Sequence, residues 1–177
     1  MPNHFLAPKG PALKYITVHC SATKPSTHVD RDVIDRWHRS PPNGWLEIGY
    51  HFVIKRDGTV QTGRAITKVG AHVLNQNVGN VGICLAGGLN EKTGKPEDNY
   101  TDEQKHALAL LLHQLVDQYG IDPGNILGHR DWPAVKKDCP CFDTRKWVAE
   151  CVFPKALPPL TVITSTCPPT FHDIHLP

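Results

Sequence analysis

Hydrophobic residues in the first half of the chain form short runs that are typical of buried strands. Residues 14–20 (KYITVHC) are rich in β-branched and aromatic side chains, and residues 81–86 (VGICLA) are almost entirely apolar. Both patterns predict strands of a sheet. Residues 50–55 (YHFVIK) predict a further strand, and the Asp57-Gly58 pair after them indicates a hairpin whose return strand begins at Thr59.

Apolar residues at helical spacing are clearest between Thr101 and Tyr119. Thr101 and Gln104 form a capping box, and Gly120 follows the last periodic residue, so both ends of this helix are marked. The apolar stripe of the helix consists of Leu108, Leu111, Leu112, Leu115, Val116 and Tyr119. A stripe of this length has to pack against another element.

Two shorter helices complete the pattern. Asp30 is placed to cap a helix in which Val33, Ile34 and Trp37 recur at helical spacing, and Asp143 is placed to cap a helix that runs through Trp147. Strands mixed with amphipathic helices predict the α/β class, with a central mixed β-sheet flanked by helices.

The length of 177 residues suits a single domain. We expect the catalytic domain to span residues 14–153, between an N-terminal arm (1–13) and a proline-rich C-terminal tail (154–177). The arm contains no sustained apolar segment, so we expect no signal peptide, and the chain has no apolar run near the roughly 18 residues that a membrane span needs.

Charge and cysteine content narrow the possible functions. Lys and Arg total 19 and Asp and Glu total 17, which gives a net charge of +2 without any run of like charges. This balance argues against nucleic-acid binding and against a polybasic membrane-surface protein. Six cysteines in a chain without an export signal favour free thiols or metal ligands over a disulfide framework.

Histidine and cysteine residues provide candidate ligands for a catalytic metal. His19 is predicted near the carboxyl end of a strand, and the segment from His129 to Cys139 is predicted to be a loop. A catalytic zinc ion takes three nitrogen, sulfur or oxygen ligands and keeps one position open. Because the chain holds 11 histidines and six cysteines, composition alone does not select the ligands.

Four stretches of the sequence carry a family resemblance. They are residues 18–26 (VHCSATKPS), 49–60 (GYHFVIKRDGTV), 81–88 (VGICLAGG) and 139–143 (CPCFD). Together they resemble the type 2 N-acetylmuramoyl-L-alanine amidases, above all the small phage lysozymes of that type, with the peptidoglycan recognition proteins as more distant relatives. The resemblance covers about residues 15–147, in order and at suitable spacing.

This resemblance implies a site with one zinc ion per chain. The zinc ligands of the family fall on His19, His129 and Cys139, its catalytic tyrosine on Tyr50, and its lysine on Lys137. Cys141 competes with Cys139 for the metal, but the Cys-Pro step and the lysine two residues earlier favour Cys139. Tyr50 is the first choice for the general base and Glu47 the alternative. His72, in a segment that also resembles the family, is expected either to line the substrate groove or to have a structural role.

The function implied by the resemblance is hydrolysis of the amide bond between N-acetylmuramic acid and L-alanine in bacterial peptidoglycan. We expect a phage endolysin that stays in the host cytoplasm until it is released to the cell wall. The expected partner is peptidoglycan, with no membrane insertion and a monomeric state; a contact with RNA polymerase is implied by the resemblance alone. The alternatives are a non-catalytic peptidoglycan-binding protein and a cytoplasmic amidase that recycles muropeptides.

Overall fold

A mixed β-sheet forms the centre of the domain. In the computed structural model, which describes residues 11–154, the strands of the sheet are β1 (Tyr15–Cys20), β2 (Phe52–Ile54), β3 (Val60–Thr62), β4 (Asn80–Leu85) and β5 (Ile126–Gly128). Their order is β3-β2-β4-β1-β5. Strands β2, β4, β1 and β5 are parallel neighbours, and β3 pairs antiparallel with β2. The predicted mixed sheet and α/β class are confirmed.

The described residues form three α-helices, α1 (Arg31–Arg39), α2 (Asp102–Tyr119) and α3 (Thr144–Trp147). Short 3-10 turns cover Pro123–Asn125 and His129–Asp131, and a π-helical turn over Val148–Val152 extends α3. The predicted caps are present: Asp30 accepts a hydrogen bond from the Val33 N–H, and Thr101 and Gln104 form the capping box. Gly120 ends α2 in the left-handed conformation, with φ of 65°.

Helix α2 covers one face of the sheet. Its leucines Leu108, Leu111, Leu112 and Leu115 are buried, as their spacing predicts. They pack with alternate residues of the central strands, including Ile16, Val18, Ile83 and Leu85. The residues between these on β1 and β4, such as His19 and Cys84, therefore point to the opposite face.

The opposite face carries helix α1 and a second apolar cluster, which consists of Val29, Ile34, Ile48, Val53, Cys84 and Ala86. Ile34 is buried in this cluster, but Trp37, predicted on the same helical stripe, is 42% exposed.

Several local expectations also need correction. Tyr50 and His51 precede β2 instead of belonging to it. His113, which is not part of the predicted apolar stripe of α2, is half-buried, and its ring centroid lies 4.3 Å from that of Phe153. Cys20, Cys84, Cys139 and Cys141 are free thiols, as expected, whereas Cys151 is disulfide-bonded.

The proposed arm and tail fall mostly outside the described residues, so the domain boundaries at 13 and 154 remain predictions. Within residues 11–154, no helix has the length and apolar character that crossing a membrane requires.

Candidate metal centre

Three side chains converge at the carboxyl edge of the sheet. Each of His19, His129 and Cys139 offers one nitrogen or sulfur atom, and these atoms all lie within 4.8 Å of one another. His19 is the fifth residue of β1, and His129 directly follows β5. Since β1 and β5 are parallel neighbours, their carboxyl ends bring the two imidazoles together, with ring centroids 4.5 Å apart.

The loop that carries Cys139 is held by hydrogen bonds to the cysteine and to the residue after it. The Arg130 N–H donates to the Cys139 carbonyl at 2.8 Å, and the Tyr100 hydroxyl donates to the Pro140 carbonyl at 2.7 Å. The Cys20 N–H donates to the Cys139 Sγ at 3.2 Å. This hydrogen bond orients the Cys139 sulfur, which would bind a metal ion as the thiolate.

Cys141 has different surroundings. Its thiol donates to the Gly88 carbonyl at 3.1 Å and lies 3.9 Å from the Cys20 Sγ. Burial, with contributions from Cys20, raises the pKa of Cys141 to about 12. The structure therefore brings Cys139, and not Cys141, into the group of candidate ligands.

Burial favours the neutral form of both histidines of the group. Burial lowers the pKa of His19 well below its usual value, and the neighbouring His72, His129 and Lys137 lower it further. The pKa of His129 is also lowered, first by burial and then by Lys137. Neutral imidazole is the form that coordinates a metal ion.

The chemistry of this donor set fits zinc. Two neutral imidazoles and one thiolate are zinc-type ligands, and three protein ligands leave a fourth position open for catalysis. The His19 Nδ1 and the Cys139 Sγ lie 4.0 Å apart, which is close enough for both atoms to bind the same ion.

His72 lies directly behind His19. Its Nδ1 is 3.1 Å from the His19 Nε2, and its own Nε2 is 3.1 Å from the Asn80 carbonyl oxygen. Burial is the main cause that lowers the pKa of His72 to about 3. His72, which was expected either to line the substrate groove or to have a structural role, is thus hydrogen-bonded to a candidate ligand.

Tyr50 and Lys137 lie beside the three candidate ligands. The ring centroids of Tyr50 and His19 are 5.0 Å apart. Burial, followed by the nearby thiols of Cys84 and Cys139, raises the pKa of Tyr50 well above its usual range. Lys137 is exposed, and its charge is close enough to lower the pKa of both candidate histidines.

Glu47, the alternative base, is engaged elsewhere. Its carboxylate lies 3.0 Å from the Lys68 Nζ and 3.8 Å from the Arg64 Nε. The structure places Glu47 in this ion-pair cluster and not among the candidate ligands.

Two further histidines support the site, although the sequence assigned them no role. His38 accepts a hydrogen bond from the Gly49 N–H at 3.0 Å, and its ring lies 5.4 Å from that of Tyr50. His51 is buried and accepts from the Gly82 N–H at 2.9 Å. In the sequence, His51 directly follows Tyr50, and this was the only signal for its place near the site. His38 lies in the helix that Asp30 caps, and no pattern in the sequence connected it with Tyr50.

Comparisons with known proteins agree with this arrangement. The N-acetylmuramoyl-L-alanine amidase family matches residues 9–142 of the chain. The endolysin of Enterobacteria phage K11 is 46% identical over 131 residues, which cover 74% of this chain and 82% of that protein.

Solved structures with the same fold include amidases and a recognition protein. The N-acetylmuramoyl-L-alanine amidase LysC from Clostridium intestinale matches with a TM-score of 0.62 and 27% identity, over 78% of this chain and 84% of that one. Drosophila PGRP-LB matches with a TM-score of 0.59 and 27% identity, over 83% of this chain and 87% of that one. The extent of the family match and the identity to the phage endolysin show that the chain belongs to the N-acetylmuramoyl-L-alanine amidase family.

Proposed function

We propose that this amidase uses one zinc ion, held by His19, His129 and Cys139, to hydrolyse the bond between N-acetylmuramic acid and L-alanine in peptidoglycan. The observation that carries the proposal is the convergence of these three ligand atoms within 4.8 Å, at the edge of the sheet where Tyr50 and Lys137 also lie. The family match supports the amide as the bond that is cleaved.

A bound zinc ion would supply an activated water molecule as the nucleophile and would polarise the scissile carbonyl. The protein has to stabilise the negative charge that develops on the carbonyl oxygen during attack. Tyr50 suits this task because its raised pKa keeps the hydroxyl protonated, so that it can donate a hydrogen bond. The Lys137 ammonium adds a positive charge and further donors on the open side of the site.

The high pKa of Tyr50 also bears on its role in proton transfer. A group with such a raised pKa is a poor general base, and full transfer of its own proton would leave a buried phenolate, which burial disfavours. We therefore assign Tyr50 the role of hydrogen-bond donor to the oxyanion. The attacking water supplies both the hydroxyl group of the new carboxylic acid and the proton that the departing L-alanine nitrogen takes up.

The biological role that this chemistry supports is release of phage from the host cell. The K11 relative bears the name endolysin, and this chain matches 82% of its length. We propose that the enzyme is made in the host cytoplasm and reaches the wall after a separate factor opens the membrane. The monomeric state and a contact with RNA polymerase remain predictions from the family resemblance.

Metal analysis combined with product analysis tests the proposal. Purified protein should contain one zinc ion per chain, and digestion of intact sacculi should release stem peptides that begin with a free L-alanine amino group. Mass spectrometry of the soluble products detects them. Stoichiometric zinc with binding but no release would identify a non-catalytic module, and preference for soluble muropeptides over sacculi would identify a recycling amidase.

A further inference from the structure

We infer that His72 is a positioning residue for the zinc ligand His19, and that Asn80 connects this histidine pair to the loop that carries the other two ligands. The inference rests on the proposed function, because it assumes a zinc ion at His19. It concerns residues behind the ligands that do not themselves contact the metal.

The hydrogen atoms of the pair are determined by the partners of His72. The Asn80 carbonyl oxygen can only accept, so the His72 Nε2, at 3.1 Å from it, carries the N–H. A neutral imidazole has one N–H, and the His72 Nδ1 must then accept from the His19 Nε2 at 3.1 Å. This leaves the His19 Nδ1 unprotonated, and that nitrogen is the one facing Cys139 at 4.0 Å. The hydrogen bond to His72 therefore selects the His19 tautomer that can bind a metal.

The position of the His72 ring is itself closely constrained. A Cβ atom on Gly70 or on Gly82 would lie 2.6 Å from the Cδ2 of His72, so the ring fits between two residues that have no side chain. The Asn77 side-chain oxygen accepts from the N–H groups of His72 and Val73, at 2.8 and 2.9 Å. His72 therefore has little freedom to turn away from His19.

Asn80 extends the hydrogen bonds to the other side of the site. Its side-chain oxygen accepts from the Thr17 hydroxyl at 2.9 Å, and the Thr17 oxygen accepts from the Trp132 indole N–H at 2.9 Å. Trp132 belongs to the loop between His129 and Cys139. The path from His19 through His72, Asn80 and Thr17 to Trp132 thus connects both parts of the ligand set.

Burial makes this path specific. Thr17 is 0%, Asn80 1% and Trp132 9% exposed, so their polar atoms have no alternative in bulk water. A buried donor or acceptor that loses its partner remains unsatisfied, which is costly. The arrangement therefore holds His19 and the His129 loop at a fixed separation before the metal binds, and we expect it to act on zinc affinity.

Zinc affinity measured by competition with a chromogenic chelator tests the inference. The metal-free proteins to compare are the wild type, His72→Ala, His72→Asn, Trp132→Phe and, as a matched control, His28→Ala, whose side chain is 74% exposed. Loss of a residue that orients a metal ligand weakens binding by roughly 10- to 100-fold. We expect a loss of this size for His72→Ala and no change for His28→Ala.

The other two variants separate the links of the path. In His72→Asn the amide oxygen can replace Nδ1 as the acceptor for His19, so its affinity should fall between those of the wild type and His72→Ala. Trp132→Phe keeps an aromatic ring but removes the N–H to Thr17, and should weaken zinc binding by about tenfold. Thermal unfolding of the metal-free variants checks whether each one is folded. If His72→Ala does not fold, His72→Asn and Trp132→Phe still test the inference.

Equal zinc affinity of the wild type, His72→Asn and Trp132→Phe, or of the wild type and a folded His72→Ala, would overturn the inference. A wild-type protein that binds no zinc would instead refute the proposed function itself. The two failures are therefore distinguishable.

Discussion

At the scale of single residues, Cys139 and Cys141 are separated by one proline, yet their sulfur atoms have different environments. The Cys139 Sγ accepts from a backbone N–H and faces His19, whereas the Cys141 thiol donates to the Gly88 carbonyl. Cys139→Ala should therefore lose zinc and activity together, and Cys141→Ala should keep at least most of both. Metal content and amidase rate of the two variants check this. If Cys139→Ala retained zinc and Cys141→Ala lost it, Cys141 would be the zinc ligand instead of Cys139.

Tyr50 offers a second test at this scale. Removal of its hydroxyl takes away a donor to the developing oxyanion but no proposed metal ligand, so Tyr50→Phe should keep zinc and lose roughly 100- to 1000-fold in kcat. Lys137→Ala should likewise keep zinc and lower kcat. An unchanged rate in Tyr50→Phe at full zinc occupancy would remove Tyr50 from the reaction, and loss of zinc would indicate a role in metal binding instead.

At the scale of elements, the sequence predicted what depends on local periodicity. The buried stripe of α2, its capping box and the two apolar strands, though not their pairing, followed from local patterns alone. The positions of the polar residues beneath the site could not be predicted in this way. Asn80 is buried because β4 pairs with β1 in a register that sets Asn80 beside Tyr15, and His72 meets His19 across 53 positions of the chain. Such contacts depend on tertiary pairing, which no local pattern encodes.

The link between α1 and the segment before Tyr50 gives a prediction about pH. The Asp35 side chain accepts from the Arg39 Nε at 2.6 Å and from the Ile48 N–H at 2.8 Å. The hydrogen bond from Arg39, helped by the one from Ile48, lowers the pKa of Asp35 below its usual value of 3.8. A lowered folded-state pKa means that this contribution to stability is complete above about pH 4 and is lost as the pH falls through the folded-state value.

Asp35→Ala should therefore lower the free energy of unfolding by about 1–3 kcal/mol at pH 7, with a smaller difference from the wild type below pH 4. Urea unfolding at pH 7, 5 and 3 measures this difference. Asp32→Ala, on the same helix but 63% exposed at its side chain, is the control and should cost less than about 1 kcal/mol at pH 7. If the free energy of unfolding of Asp35→Ala differed from that of the wild type by the same amount at pH 7 and at pH 3, the stabilising role of the ionised Asp35 carboxylate would be contradicted.

At the scale of the whole molecule, the candidate ligands join parts of the chain that are far apart in sequence. His19 belongs to β1, whereas His129 and Cys139 come from the loop after β5, more than 100 residues later. An ion that holds these parts together binds the folded chain and finds no such arrangement in the unfolded one. Zinc should therefore stabilise the entire domain and not only the site.

The expected stabilisation depends on zinc concentration. Free zinc at about 100 times its dissociation constant adds about 2.7 kcal/mol, which for a chain of this size corresponds to a rise in Tm of about 5–11 °C. Thermal unfolding of the metal-free protein with increasing zinc measures the rise. Cys139→Ala, which lacks the thiolate, should show little or no shift. Because zinc can also bind cysteines of the unfolded chain and reduce the effect, the comparison between the two proteins is the decisive quantity. Equal shifts in the wild type and Cys139→Ala would mean that the stabilising ion binds somewhere other than the proposed site.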